Sequence, residues 1–390
     1  MRIAEIYLDN LAHNIAQIRQ NLRRPGVKIC AAVKADAYGH GAVRCAKKAV
    51  ECGVEFLSVA TVGEGIELRK AGISRPILVL SLCDKSEMRS LVKYNLTPLV
   101  GDAEYIDLIE AAAKKFFKSQ KNSAKKTNEK FAVHLAVDTG MGRIGCLPHE
   151  AKDLAKKIAL SQNLSLGGVC THFASADETS KKYRDYAQSQ YEKFLLAIES
   201  IRAEEIETGI VHCSSSAALL DRPEWQFDMV RPGIILYGYC AGKITQKYLS
   251  QKGIRFEPKP VMALVTSVSA IRHFAKGESV SYGCTWTSER ETKIAVMPIG
   301  YADGLLRRAS PGLEVAINGK KYSVCGRICM DQCMAEIGMK SEARRFDRVV
   351  IFGPKESGAL CTAQDLADAQ GTIPYEILTS ISKRVKRVYI

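Results

Sequence analysis

Eight short apolar runs, separated by helical patterns over the first 235 or so residues, limit how this chain can fold more than any other feature. The runs lie at 29–33, 56–60, 77–80, 96–100, 131–137, 164–171, 210–213 and 227–230. Helical segments stand between them, among them 42–52, 103–117, 150–160 and 183–202. Ahead of the first run, Asp9 is placed as an N-cap for a helix with the stripe Leu11, Ile15, Ile18 and Leu22. Strands joined through helices run parallel, since each helix returns the chain across the sheet. Eight of them read as a (β/α)8 barrel of the TIM type, and an open doubly wound sheet is the alternative.

After about Tyr237 the pattern changes. Residues 261–271, 293–297, 313–317, 321–325 and 348–351 cluster or alternate β-branched residues between Gly and Pro punctuation. At 390 residues the chain exceeds what one hydrophobic core usually supports. The expected division is a barrel domain over 1–237 and a mainly β domain over 238–390.

Composition narrows the function classes. No segment approaches transmembrane length, and the start Met1-Arg2-Ile3-Ala4-Glu5 has no secretory apolar region. Thirteen scattered cysteines, an odd number, suit reduced thiols in the cytoplasm. The net charge of +14 raises nucleic acid as a partner, but much of it is local. Between Lys114 and Lys130 there are seven lysines against one acid, Glu129. No aromatic interleaves the lysines from Lys118 to Lys130, as base stacking would require, so a solvated surface loop is expected and nucleic acid is not.

Barrels carry their chemistry at the carboxyl ends of their strands. There the first run ends at Lys34, followed by Ala35-Asp36-Ala37-Tyr38-Gly39-His40-Gly41. A lysine amine partly out of water can lose its proton and attack a carbonyl, and the glycines let backbone turn closely about a ligand. The fifth run leads to Asp138-Thr139-Gly140-Met141-Gly142-Arg143, and the sixth to Thr171-His172. The seventh leads to His212-Cys213-Ser214-Ser215-Ser216, and the eighth to Arg231-Pro232-Gly233-Ile234. The loops after strands seven and eight are the usual phosphate site of such barrels, and Ser216 and Gly233 offer a hydroxyl and open backbone N–H groups. A phosphorylated cofactor there, with an aldehyde facing Lys34, is pyridoxal 5′-phosphate (PLP).

Two motifs compete. Gly140-Met141-Gly142-Arg143-Ile144-Gly145 formally matches a dinucleotide fingerprint, which would make the chain a nicotinamide-dependent oxidoreductase. Arg143 occupies the loop, however, the helix waits until after Pro148, and no acid ends the next strand. Cys325, Cys329 and Cys333 do not match zinc-ribbon spacing, and the strand-like segment around them reads as buried thiols with no metal.

These segments resemble the alanine racemase family nearly end to end. The resemblance runs through Ala32-Val33-Lys34 to Gly41, Val137-Asp138 to Gly145, Thr171-His172-Phe173-Ala174 and Val230-Arg231-Pro232-Gly233. It continues in Val280-Ser281-Tyr282-Gly283, Gly300-Tyr301-Ala302-Asp303-Gly304, Gly326-Arg327 to Gln332, and Pro374-Tyr375-Glu376-Ile377. The resemblance implies that Lys34 holds PLP, with Tyr38, Ser216, Gly233, Ile234 and Tyr375 on its phosphate. It implies Arg231 at the pyridine nitrogen with His172 behind it, and Arg143 on the cofactor phenolate and the substrate carboxylate. It places Cys329, Met330 and Asp331 beside the substrate and Tyr301 at its entrance. Lys34 and Tyr282 would be the two bases, Lys34 on the D side and Tyr282 of the partner subunit on the L side. The same resemblance implies a homodimer with shared sites that interconverts L- and D-alanine and supplies D-alanine for peptidoglycan.

The chain departs from the family pattern in three places. Ala136 stands where many members have a carbamylated lysine that bonds the arginine matched by Arg143. Ser215 replaces an asparagine, and Lys386 replaces a proline. A serine or broad-specificity racemase is the nearest alternative, and a PLP-binding barrel without catalysis would keep Lys34 but need no Tyr282.

Overall fold

In a computed structural model, residues 1–120 and 130–390 are described, so most of the lysine-rich stretch lies outside the described residues. Among them, eight parallel strands form one sheet: Lys28–Ala32, Phe56–Val59, Ile77–Val79, Thr97–Val100, Phe131–Ala136, Leu164–Cys170, Ile210–His212 and Met229–Val230. The last pairs with the first, Lys28 opposite Met229 and Ile29 opposite Val230. The seventh and eighth are joined by the Asp228 N–H on the Val211 carbonyl (3.1 Å) and the Arg231 N–H on the Ser214 carbonyl (2.8 Å). The sheet is therefore a nearly closed barrel, and the open doubly wound alternative is excluded. Helices Ala42–Glu51, Ala103–Gln120, Ala151–Leu160 and Lys181–Arg202 fall where the sequence pattern places them.

Alternation along the strands divides the core in two. Val133 and Leu135 of the fifth strand join the large cluster beneath the helices. Ala136 turns the other way and packs with Leu78, Leu99 and Cys170 in a small separate cluster inside the barrel.

The second domain is built on a nine-stranded sheet, as the mainly β pattern requires. One member comes from outside the second half of the chain. The strand Arg2–Ile6, which precedes the barrel in sequence, lies in this sheet, antiparallel to Met262–Ser267 and parallel to Lys386–Tyr389. Both chain ends thus meet in one sheet.

Three local expectations are corrected. Tyr7, not Asp9, is the N-cap of the first helix, Leu8–Gln20. The Tyr7 N–H is held by the Val261 carbonyl (2.8 Å), so the helix starts as soon as that strand pairing ends. Asp9 falls in the first turn, where its carboxylate reaches Lys48 at 3.1 Å and opposes the positive helix end. The run 261–271 is two strands, Met262–Ser267 and Ala270–Phe274. The segment around Cys329 is a loop between strands Lys320–Cys325 and Cys333–Glu336. Gly326 starts it at φ +65, where a Cβ would stand 2.6 Å from the Val280 carbonyl oxygen, and this ends the strand. Cys325 and Cys333 are buried as expected, while Cys329 is only half-buried.

Candidate active site

The backbone is most unusual directly after Lys34. Ala35, Asp36, Ala37 and Tyr38 all lie in the left-handed region, with φ of 51, 53, 54 and 53. For residues with a Cβ this costs about 1–2 kcal/mol each, so the surroundings must enforce it. They do so at several points. The Ala35 N–H donates to the Glu64 carboxylate (2.7 Å), the Ala42 N–H to the Asp36 carboxylate (2.7 Å), and the Gly41 N–H to the Asp36 carbonyl (2.9 Å). Gly39 is seated on the second domain, where a Cβ would stand 2.4 Å from the Leu378 carbonyl oxygen. The turn carries Tyr38 beneath the strand ends, its ring 4.8 Å from that of Tyr237 and 5.9 Å from that of Tyr375.

Lys34 itself is half-buried at the wall of a cavity of about 460 Å³. Burial and the nearby Arg143 guanidinium push its amine below the ordinary lysine range, with Glu64 pulling weakly the other way. Every residue assigned to the cofactor from sequence lines this one cavity: Tyr38, Arg143, His172, Ser216, Arg231, Gly233, Ile234 and Tyr375, with Lys34. At its far end the Gly233 N–H donates to Ser216 Oγ (2.9 Å). A Cβ on Gly233 would stand 2.6 Å from Tyr38 Oη, so only glycine leaves this cradle open.

Arg231 is 8% exposed and has no acid among its partners in the described residues. Its guanidinium donates to His212 Nδ1 (2.6 Å) and to the carbonyls of Thr171 (2.8 Å) and Cys213 (3.2 Å). His172 Nδ1, expected behind it, stands farther off at 3.4 Å. The closer imidazole is His212, whose Nε2 meets His134 Nδ1 at 2.8 Å. Burial and the Arg231 charge hold His172 down to about 3 and His212 well below the usual imidazole range; burial takes His134 to about 4. A buried guanidinium surrounded by neutral acceptors is a site that still favours an electron-rich ligand atom. His212 could have been found in the sequence, because it opens the seventh strand-end run. Nothing in the sequence marked His134.

The loop carrying Arg143 is organised by Asp138. One of its carboxylate oxygens accepts the N–H groups of Gly140 (2.9 Å), Met141 (2.8 Å) and Gly142 (3.1 Å). Burial acts to raise its pKa, but those N–H groups outweigh it and hold the carboxyl below the usual range. Two of the three glycines here bond an acid, and the loop leads to no α-helix until Ala151, so the dinucleotide geometry is not formed. Tyr186 donates to the Gly140 carbonyl (2.7 Å) and braces the loop from the helix Lys181–Arg202. Arg143 is left exposed at the rim of the cavity.

Tyr282, Tyr301, Cys329, Met330 and Asp331 do not line this cavity. A second hollow, on the β domain, is lined by Tyr282 and Cys329 to Asp331 with Ser281 and Gln332. Tyr301 is tied to the same loop, its N–H on the Cys329 carbonyl (3.1 Å) beside the Ala302 N–H on the Met330 carbonyl (3.0 Å). Arg384 anchors the loop to the end of the chain through Asp331 (2.6 Å) and the fully buried Asp303 (3.3 Å). Tyr282 is 70% exposed. The two hollows share no lining residue.

Comparison with known proteins bears on both halves. Residues 6–241 match the family description "Alanine racemase, N-terminal domain" and residues 261–389 match "Alanine racemase, C-terminal domain". Alanine racemase of Treponema denticola is 48% identical over 389 residues, covering 99% of this chain and 97% of that protein. Among solved structures, alanine racemase of Clostridium difficile 630 superposes with a TM-score of 0.89 at 37% identity, covering 100% of this chain and 95% of the other. The alanine racemase of Bacillus anthracis with bound L-Ala-P gives 0.85 at 34% identity, with coverage of 100% and 95%. A match this long and this ordered leaves one conclusion: the chain belongs to the alanine racemase family of isomerases.

Proposed function

We propose that this chain holds PLP on Lys34 and interconverts L- and D-alanine with two bases on opposite faces of the substrate. The observation that carries this reading is Lys34, its amine depressed by burial, in one cavity with Arg231, a buried cation that meets only neutral acceptors among the described residues. The donor set fits the cofactor. A hydroxyl and an open glycine cradle suit a phosphate, the amine suits an aldehyde, and a donor-only guanidinium suits a ring nitrogen. When bound, PLP supplies a conjugated ring that disperses the negative charge left as the α-proton departs.

The chain's own residues do the rest. Tyr38, Ser216, Gly233, Ile234 and Tyr375 bind and orient the phosphate end. Arg231 keeps a proton off the ring nitrogen, because arginine does not readily give its own away. Arg143, held at the rim by the Asp138 loop, pairs with the cofactor phenolate and the substrate carboxylate. Lys34 moves the proton on the D side, and the partner subunit's Tyr282 moves it on the L side. The exposure of Tyr282 in a hollow apart from Lys34 supports supply from a second copy, with Met330 and its neighbours reaching the substrate by the same route. No helix among the described residues is long and apolar enough to cross a membrane, which fits a cytoplasmic supply of D-alanine for peptidoglycan.

Borohydride reduction of the purified protein followed by peptide mapping tests the reading. A pyridoxyl label on Lys34 and α-proton exchange of L-alanine in heavy water, lost in Tyr282→Phe while the cofactor colour persists, is the expected outcome. An unlabelled Lys34 peptide overturns it. Faster exchange on serine than on alanine turns it into the broad-specificity alternative.

A further inference from the structure

The interior of the barrel beneath Arg231 contains a histidine pair that the mechanism above does not use. Arg231 can only donate, so His212 Nδ1, 2.6 Å from its Nη1, must present a lone pair. The His212 proton is therefore on Nε2, and it points at His134 Nδ1, 2.8 Å away. That nitrogen in turn accepts, which leaves the His134 proton on Nε2. The chain of bonds has one direction and both rings are neutral, because a second proton on His212 would set N–H against N–H. His134 is 2% exposed and His212 fully buried.

The backbone independently makes room for this ring. Pairing between the fifth and sixth barrel strands slips at this point: Val133 lies opposite Leu166, but His134 lies opposite Gly168. Gly167 is thus an extra residue, a bulge of the kind that re-aims a side chain. A Cβ on Gly168 would stand 2.7 Å from His134 Nδ1 and Cε1, and one on Gly167 would stand 3.3 Å from its Nε2. Two successive glycines inside a strand weaken it, and here they clear the volume that the imidazole occupies.

We propose that His134 is a positioning residue for Arg231, acting through His212 to hold the guanidinium in place without cancelling its charge. A carboxylate at either position would satisfy the same donors and neutralise the cation. Two imidazoles satisfy them and leave the full positive charge facing the cavity. The effect on the reaction rests on the proposal that PLP occupies that cavity. An uncompensated Arg231 keeps the ring nitrogen unprotonated and the ring a modest electron sink. That limits the side reaction in which alanine hands its amino group to the cofactor and leaves as the keto acid. A histidine pair that merely fills the barrel would need no acceptor at position 134.

Imidazole ¹⁵N–¹H correlation spectra of the full-length protein at pH 7, with and without added PLP, separate these cases. His134 and His212 are expected as neutral rings protonated on Nε2, whether or not cofactor is bound. An Nδ1–H or doubly protonated His212 overturns the proposal. His134→Gln, whose amide oxygen still accepts, keeps the His212 signature and the ratio of keto acid to D-alanine. His134→Leu takes the acceptor away from the His212 Nε2–H, so that proton's signal shifts while Nδ1 still faces the Arg231 donor, and the ratio rises by about tenfold, a size typical for loss of an outer partner to a ligating imidazole. A leucine variant with unchanged spectra and unchanged ratio overturns the assignment. So does a glutamine variant that loses the Nε2–H signature, and this second outcome can be read even if the leucine protein does not fold. Failure of the PLP reading shows separately, as an unlabelled Lys34, while the cofactor-free spectra still decide the role of His134.

Discussion

Lys34 and Arg231 are both cations in one cavity, yet they differ in what burial does to them. Lysine can shed its proton, and burial together with Arg143 moves it in that direction. Arginine cannot, so Arg231 stays charged among neutral acceptors. The sign of the Arg143 effect gives a prediction. Removing a neighbouring positive charge makes the protonated amine less unfavourable, so Arg143→Gln raises the Lys34 pKa toward that of an ordinary lysine. The pH dependence of amine modification in the cofactor-free protein should move to higher pH in the variant. A midpoint that stays put or falls would show that burial alone sets the value. Tyr38, Ser216, Gly233 and Arg143 were legible at this scale because each sits within a few residues of a strand end. His134 was not, since its role depends on a ring two strands away.

At the scale of elements, the left-handed turn from Ala35 to Tyr38 links the first barrel strand to the second domain. Its strain is held by contacts on both sides, and Gly39 is the point of closest approach. Gly39→Ala would add a methyl into the Leu378 carbonyl at a backbone angle of φ +83. A loss of about 2–4 kcal/mol is expected, seen as a lower denaturant midpoint, together with weaker cofactor retention. Ala35→Gly acts in the opposite direction. It relieves about 1–2 kcal/mol of left-handed strain against about 0.4–1 kcal/mol of added unfolded-chain entropy, so stability should hold or rise slightly. If the two substitutions destabilise equally, the turn is not under the strain its angles indicate. The glycines at 39 and 41 announced a turn here, but four consecutive non-glycine residues in the left-handed region follow only from the docking of Leu378 and the bonds to Glu64.

On the scale of the whole molecule, the Lys34 cavity and the Tyr282 hollow are separate surfaces of one chain. The proposed reaction needs both, so it needs two copies arranged reciprocally. Mixing inactive Lys34→Ala with inactive Tyr282→Phe tests this directly. After subunit exchange half the dimers are mixed, and each of those has one site with both bases intact. About a quarter of the unsubstituted activity should return, and none if each chain completes its own site. The ends of the chain meet beside the Tyr282 hollow. Arg2 and Arg384 both meet the buried Asp303, and Arg384 continues to Asp331, so the two termini brace the loop beside Tyr301.

The barrel could be read from the sequence because strand and helix periods are local: each apolar run reports its own burial, and counting runs counts strands. The strand-end rule then located Lys34, Arg143, Ser216 and Arg231 without any coordinates. Other features depended on which strands become neighbours and in what register. Neither Arg2–Ile6 joining the far sheet, nor His212 coming nearer to Arg231 than His172, nor the bulge that admits His134 is encoded within a short window. These are contacts between residues well separated in sequence, whose distances are fixed by closure of the barrel and pairing of the chain ends. Local propensity cannot determine such distances, and the packed chain does.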